Sequence, residues 1–193
     1  MLPEKIIFIT ILLSFVGYTF YIKNIIRGHT KPNLVSWFIW MLPPFIGVFF
    51  QLKAGAGLSI LPVFMAGFGP LIIIMAVLLT KNAIWKISTF DIYCGIFALL
   101  ALVIYIFTRN LGISILFAIA SDALAFIPTY IKTWRFPESE SVHGYFWTML
   151  SNIVALLIIK NWIFTIYSFS MYLVIANVIM LCILYRKKIF NFS

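Results

Sequence analysis

Acidic residues are almost missing from this chain: five Asp and Glu stand against fourteen Lys and Arg, and charged residues of both signs make up only 10% of the 193 positions. With 64% of residues hydrophobic, so little charge cannot cover a water-facing surface, which excludes an ordinary soluble domain and points to lipid as the solvent. Cysteine is scarce too. Cys94 and Cys182 both sit inside apolar runs without metal-ligand spacing, so neither a disulfide framework nor a zinc site is indicated, and no cofactor is implied. No linker, low-complexity stretch or acidic tail divides the chain, and residues 1–193 read as a single membrane domain. No alanine precedes Ala54 and no small-x-small cleavage site follows the first apolar run, so that run is expected to remain as a helix and not to be removed as a signal peptide.

What is present is a series of long apolar segments. Seven can be cut between charged or turn-forming residues: 6–22, 34–52, 58–80, 92–107, 111–131, 142–159 and 162–185. Each is near the roughly 17 to 25 residues a helix needs to cross a bilayer core, the fourth being slightly short. Helices are expected, because backbone groups in hydrocarbon must be satisfied within the segment and the runs lack the strict alternation of barrel strands. Lys5, Lys53, Arg109 and Lys160 fall on one side. Lys23, Arg27, Lys31, Lys81, Lys86, Lys132, Arg135, Arg186, Lys187 and Lys188 fall on the other. The excess of positive charge predicts a multi-pass protein of the cell membrane with its amino terminus outside and its carboxyl terminus cytoplasmic. The net charge of +9 then has a membrane explanation, and no nucleic-acid partner is needed.

A short motif occurs twice. Tyr21-Ile22-Lys23 aligns with Tyr130-Ile131-Lys132, and after a one-residue contraction Trp37-Phe38-Ile39 aligns with Tyr145-Phe146-Trp147 and Met41-Leu42 with Met149-Leu150. The first three spans therefore correspond to the last three. The fold expected is an all-α integral membrane protein of seven transmembrane helices: parallel three-helix repeats at 6–80 and 111–185, joined by an inverting linker helix at 92–107. This 3+1+3 pattern, with a proline near the end of the fifth span and a short polar loop after it, resembles the PQ-loop superfamily, which includes the SWEET sugar transporters, lysosomal amino-acid exporters and the KDEL receptors. Pro128-Thr129 stands where the Pro-Gln pair would be in the second repeat; the first repeat has Thr19-Phe20 there. The stretch "GHTKPNLVSWFIW" also resembles small bacterial members of the group.

Asp122 is the sharpest single feature. A carboxylate near mid-span costs about 2.5 to 3.5 kcal/mol on insertion scales, and no Lys or Arg lies within a helical turn. It is expected to face the bundle interior as a proton-coupling or substrate-contacting group, with Thr129 farther along the same helix; the alternative is a structural Asp tying two helices together. Asn152 and Asn177 are the other polar groups deep in apolar runs, available to a solute or to an inter-helix hydrogen bond. The resemblance implies a pocket role for Asn177, because SWEET-like proteins carry an asparagine on helix 7. Trp40 is the better pocket candidate of the Trp37 and Trp40 pair, and Trp147 is expected to face it across the pseudo-axis. Pro43, Pro44, Pro62, Pro70 and Pro128 punctuate three helices and predict bending or gating, with Pro43, Pro44, Pro70 and Pro128 as hinges. Glu138 and Glu140 are able to pair with Lys132, Arg135 or the aligned basic loop after the first span and latch the cytoplasmic gate, although solvated loop charges are the commoner case.

An enzyme is disfavoured, since no Ser/His/Asp set, metal-ligand cluster, phosphate loop or paired carboxylates appear at a common depth. A retinal protein is disfavoured by the lack of lysine deep in the last span. Two readings remain. One is a transporter of a small solute (sugar, amino acid or similar metabolite) working by alternating access of two three-helix bundles and coupled to protons through Asp122. The other is a receptor, scaffold or assembly factor built on the same fold.

Overall fold

The computed structural model describes residues 4–53, 61–80, 85–108, 110–159 and 162–189. Seven α-helices occupy them: α1 (Ile7–Ile26), α2 (Leu34–Lys53), α3 (Leu61–Thr80), α4 (Thr89–Phe107), α5 (Leu111–Arg135), α6 (Val142–Ile158) and α7 (Phe164–Ile189). Short 3-10 turns precede α1 and α6, and no strand occurs among the described residues. Residues 58–60 of the expected third span, and the loop charges Lys81, Arg109 and Lys160, lie outside the described residues, as do the side chains of Lys53, Pro62, Lys187 and Lys188.

The apolar runs become helices, and local chemistry sets their ends. α1 runs four residues past the expected limit and stops at Gly28, whose φ of 73° few other residues adopt without strain. There the Gly28 N–H donates to the Ile25 carbonyl at 2.8 Å and the His29 N–H to the Asn24 carbonyl at 3.0 Å, closing the helix end. α4 begins three residues earlier than the apolar run suggests. Ser88 and Asp91 form a reciprocal capping box, the Ser88 N–H donating to the Asp91 carboxylate at 2.6 Å and the Asp91 N–H to the Ser88 hydroxyl at 3.2 Å. The fourth helix is therefore 19 residues long and not short. Asn110 caps α5 by accepting from the backbone of Gly112 and Ile113.

Five described stretches are long and apolar enough to cross a membrane: Ile7–Ile26, Val63–Thr80, Thr89–Phe107, Gly112–Arg135 and Phe164–Arg186. Leu34–Ile46 and Val142–Ile158 are shorter apolar helices. Large apolar side chains cover the outer faces, among them Leu12 and Phe15 on α1, Phe97 and Leu100 on α4, and Ile175 and Ile179 on α7. That distribution suits a multi-pass protein with lipid around it.

α1 packs against α3 and α6, α3 against α2, α2 against α5, α5 against α7, and α7 against α6, which closes a ring of six helices. α4 lies outside the ring, on α5 and α2. Contacts fix the directions. Ser151 donates to the Thr10 carbonyl and Asn24 to Ser141, so α1 and α6 run antiparallel; Ser36 donates to the Ala125 carbonyl and Trp40 to that of Asp122, so α2 and α5 do as well. The buried apolar core, including Tyr21, Ile25, Trp37, Val77 and Met180, gathers toward the end where α1 finishes and α2 begins. That end is packed solid, and the other holds a hollow.

Small residues permit the tight helix crossings. A Cβ on Gly17 would meet the Trp147 Cβ at 2.7 Å, and one on Gly144 would meet the Tyr21 ring at 2.6 Å. Neither site has room for a larger residue without displacing an aromatic side chain.

Candidate functional site

Inside the ring is a cavity of about 370 Å³ to which all seven helices contribute. Its lining starts near the amino-terminal ends of α1, α3, α5 and α7, at Thr10, Val63, Ile115 and Thr165. It ends at Tyr18, Trp37, Phe126, Tyr145 and Asn177, short of the packed end. One wall, from α2 and α5, carries Trp37, Trp40, Asp122 and Phe126; the opposite wall, from α1 and α6, carries hydroxyls and an amide at Thr10, Ser14, Thr148, Ser151 and Asn152.

Asp122 is on the lining and 5% exposed, near the middle of α5. Its Oδ2 accepts from the Tyr172 hydroxyl of α7 at 2.8 Å, a contact that ties the carboxylate to a helix 50 residues away in sequence. Trp40 donates through Nε1 to the Asp122 carbonyl at 3.3 Å and lies against Phe126 with ring centroids 4.4 Å apart. Trp37 meets Trp40 edge-on at 5.1 Å. The carboxylate is thus held by a phenol, and its backbone carbonyl by the indole of an aromatic cluster on the same wall.

Asn177 and Asn152 both line the cavity. Each donates its amide N–H to its own helix one turn back, Asn177 to the Leu173 carbonyl at 2.7 Å and Asn152 to the Thr148 carbonyl at 2.9 Å. Among the described residues no hydrogen bond uses either side-chain oxygen, so both carbonyl groups can serve a solute. Thr129 stands apart from the lining. It is fully buried and donates to the Ser36 hydroxyl at 2.9 Å, while Ser36 donates to the Ala125 carbonyl at 2.6 Å, so Thr129 cross-ties α5 to α2.

Trp147 also lies off the lining. It packs on Gly17 of α1, and the aromatic that α6 presents to the cavity is Tyr145, two residues earlier. The reason is helical geometry: positions two apart point some 200° from one another, so a repeat alignment correct in register still leaves the inward residue to be found. The prolines leave the helices continuous. α2 carries Pro43 and Pro44, α3 Pro70 and α5 Pro128, all within unbroken helix. Pro43, Pro44 and Pro70 line the cavity, whereas Pro128 is buried away from it.

Below the cavity, the packed end contains a polar cluster with almost no solvent contact. Lys132 and Glu140 form an ion pair whose side chains are 2% and 0% exposed. The other Glu140 oxygen, Oε2, accepts from the Tyr21 hydroxyl at 2.6 Å and from the Tyr145 hydroxyl at 3.0 Å, and Lys132 donates further to the Lys31 carbonyl. The Lys31 N–H donates in turn to the Ser139 carbonyl at 2.9 Å. The repeated Tyr-Ile-Lys tripeptide is divided in this cluster: its first copy supplies the tyrosine and its second copy the lysine. Tyr130, the second tyrosine, instead donates to the Ala176 carbonyl at 2.8 Å.

Tyr172, Tyr21 and Tyr145 are the site residues that sequence spacing did not single out for these roles. Tyrosine is common at membrane interfaces, and nothing within its own helix distinguishes a phenol that reaches a distant carboxylate. No family model matches the chain, and neither does any curated protein or solved structure.

Proposed function

We propose that the chain is a small-solute membrane transporter in which two three-helix bundles, residues 6–80 and 111–185, rock about the central cavity with helix 92–107 as the linker. The packing supports this division. α3 touches both α1 and α2, α7 touches both α5 and α6, and the two groups meet chiefly as α1 on α6 and α2 on α5, the two contacts that a twofold exchange of the halves interconverts. The same arrangement is what the resemblance to the PQ-loop superfamily implies.

The observation that carries the reading is a cavity holding a mid-span carboxylate and stopped at one end by hydrogen bonds between the halves. Tyr21 belongs to the first half and Glu140 to the second, as do Lys31 and Lys132 respectively. A polar closure of this kind can be exchanged for water when the halves separate, so two packings of similar energy are available. With the basic residues Lys23, Arg27, Lys31, Lys86, Lys132, Arg135 and Arg186 gathered at the closed end, the positive-inside rule makes that end cytoplasmic and turns the hollow outward. In this reading Asp122 alternates between protonated and ionised forms as the cavity changes sides, which couples solute movement to protons.

The test is uptake into proteoliposomes of a panel of sugars, amino acids and related metabolites, with and without a pH gradient. A panel member enters faster with the gradient in the wild type, and Asp122→Asn loses the acceleration. If nothing on the panel moves and the variant matches wild type, the transporter reading fails and a receptor or scaffold on the same fold takes its place.

A further inference from the structure

The cavity wall carries one carboxyl group. Among the described lining residues Asp122 is the only acid, and no Lys, Arg or His is present, although the chain has fourteen basic residues. Two of the bases are engaged at the closed end. Lys132 holds Glu140 and the Lys31 carbonyl, and Arg186 donates to the carbonyls of Thr133, Trp134 and Ile183. Tyr172 occupies Oδ2 of Asp122, and no donor is found on Oδ1 among the described residues, on a side chain that lines the cavity.

Aromatic side chains share this wall. Trp40 and Phe126 lie 4.4 Å apart between centroids, Phe126 follows Asp122 by one helical turn, and Trp37 braces Trp40 from the side. The negative face of an aromatic ring attracts a cation and disfavours an anion. An anionic solute would place a second negative charge next to Asp122 in surroundings that screen poorly. A neutral solute would leave the first one uncompensated. A cation answers both the carboxylate and the rings.

We infer that the cavity takes a monocationic organic solute, an amine or quaternary ammonium with an apolar or aromatic body, its charge at Asp122 Oδ1 and against Trp40 and Phe126. The volume, about 370 Å³, falls in the lower part of the range for small-molecule sites and suits one such ion. The inference rests on reading the cavity as the solute site, and it narrows the substrate class that the transporter proposal leaves broad.

The experiment uses the full chain in lipid nanodiscs, titrated by tryptophan fluorescence and calorimetry with phenethylammonium, tetraethylammonium, neutral 2-phenylethanol and anionic phenylacetate. The cations bind; 2-phenylethanol binds about tenfold more weakly than phenethylammonium or worse, and phenylacetate more weakly still. Asp122→Asn lowers phenethylammonium affinity by about tenfold and leaves 2-phenylethanol unchanged. Alcohol or acid binding as tightly as the ammonium ion overturns the inference, as does unchanged cation affinity in Asp122→Asn or no cation binding at millimolar concentration. The comparison of ammonium with alcohol needs only wild-type protein, so it holds even if the variant fails to fold. Uptake of the same solutes separates the two proposals. Cation binding without uptake upholds this one and sinks the transporter, whereas uptake with no preference for cations does the reverse.

Discussion

Tyr21 and Glu140 lie 119 residues apart in sequence, and the tyrosine hydroxyl sits 2.6 Å from the carboxylate, in a region closed to solvent. Glu140 accepts from three side chains at once, Tyr21, Tyr145 and Lys132, drawn from α1, α6 and α5. One carboxylate therefore joins three helices at the packed end of the ring. Charge buried this way depends on every partner, because the cost of desolvation is offset only when each lone pair is used.

Removing the charge from Glu140 should be costly. Glu140→Gln leaves the Lys132 ammonium buried without a counterion, a change that typically destabilises by about 3–5 kcal/mol. Lys132→Met combined with Glu140→Gln removes both charges while the glutamine carbonyl still accepts from the two phenols, so the double variant should recover most of the loss. Thermal unfolding in nanodiscs gives the order. A Glu140→Gln variant as stable as wild type would mean that the pair is not buried in the fold.

The two phenols should be unequal. The Tyr21 contact is the shorter, 2.6 Å against 3.0 Å for Tyr145, and Tyr21 is wholly buried. Tyr21→Phe should cost about 1.5–3 kcal/mol, the range for a hydrogen bond to a charged group, and Tyr145→Phe less. Combined with Glu140→Gln, the Tyr21→Phe effect should shrink, because the acceptor is no longer charged. Additive losses across that cycle would show that the tyrosine acts through packing alone.

At Gly69 a methyl group should reshape the cavity. A Cβ built there falls within the ring of Tyr18, which lines the hollow, whereas one at Gly67 meets Phe45 at 3.1 Å and needs only a small shift. Gly69→Ala should therefore cost about 1–3 kcal/mol of overpacking and weaken solute binding, with Gly67→Ala milder on both counts. Adding Tyr18→Leu to Gly69→Ala should restore stability. Unaltered unfolding of Gly69→Ala would contradict so close a crossing of α1 and α3.

Much of this scaffold is legible in the residues themselves. Apolar runs locate the starts of α2, α5 and α6 at 34, 111 and 142 and the ends of α3 and α4 at 80 and 107, because hydrocarbon forces each run to satisfy its backbone internally. The start of α4 was readable too, in the spacing of Ser88 and Asp91, but an acid beside an apolar run looks like a boundary until its capping role is considered. The extra turn of α5 was not readable. It carries Lys132, which belongs in a buried helix end only because Glu140 is there to meet it. For the same reason the alignment points to Trp147 although Tyr145 is the inward residue: repeat alignment gives register along a helix, while the facing direction depends on what α6 meets, here Gly17 and Tyr21 of α1.

The closed cluster and the hollow above it together predict how thiol reagents will reach the chain. Cys94 is buried and Cys182 exposed on the outer face of α7, so Cys182→Ala gives a background of low reactivity. In that background Ser170→Cys, on the cavity lining, should react with a membrane-impermeant maleimide added from the side where α1 begins. Thr133→Cys, fully buried beyond the latch, should not. Weakening the latch with Tyr21→Phe should shift the balance of the two packings, making Ser170→Cys react several-fold more slowly from the first side and newly accessible from the other. Gel-shift labelling of sealed vesicles of both orientations measures this. Equal labelling of Ser170→Cys with and without Tyr21→Phe would show that the buried cluster holds the fold and does not control which side the cavity faces.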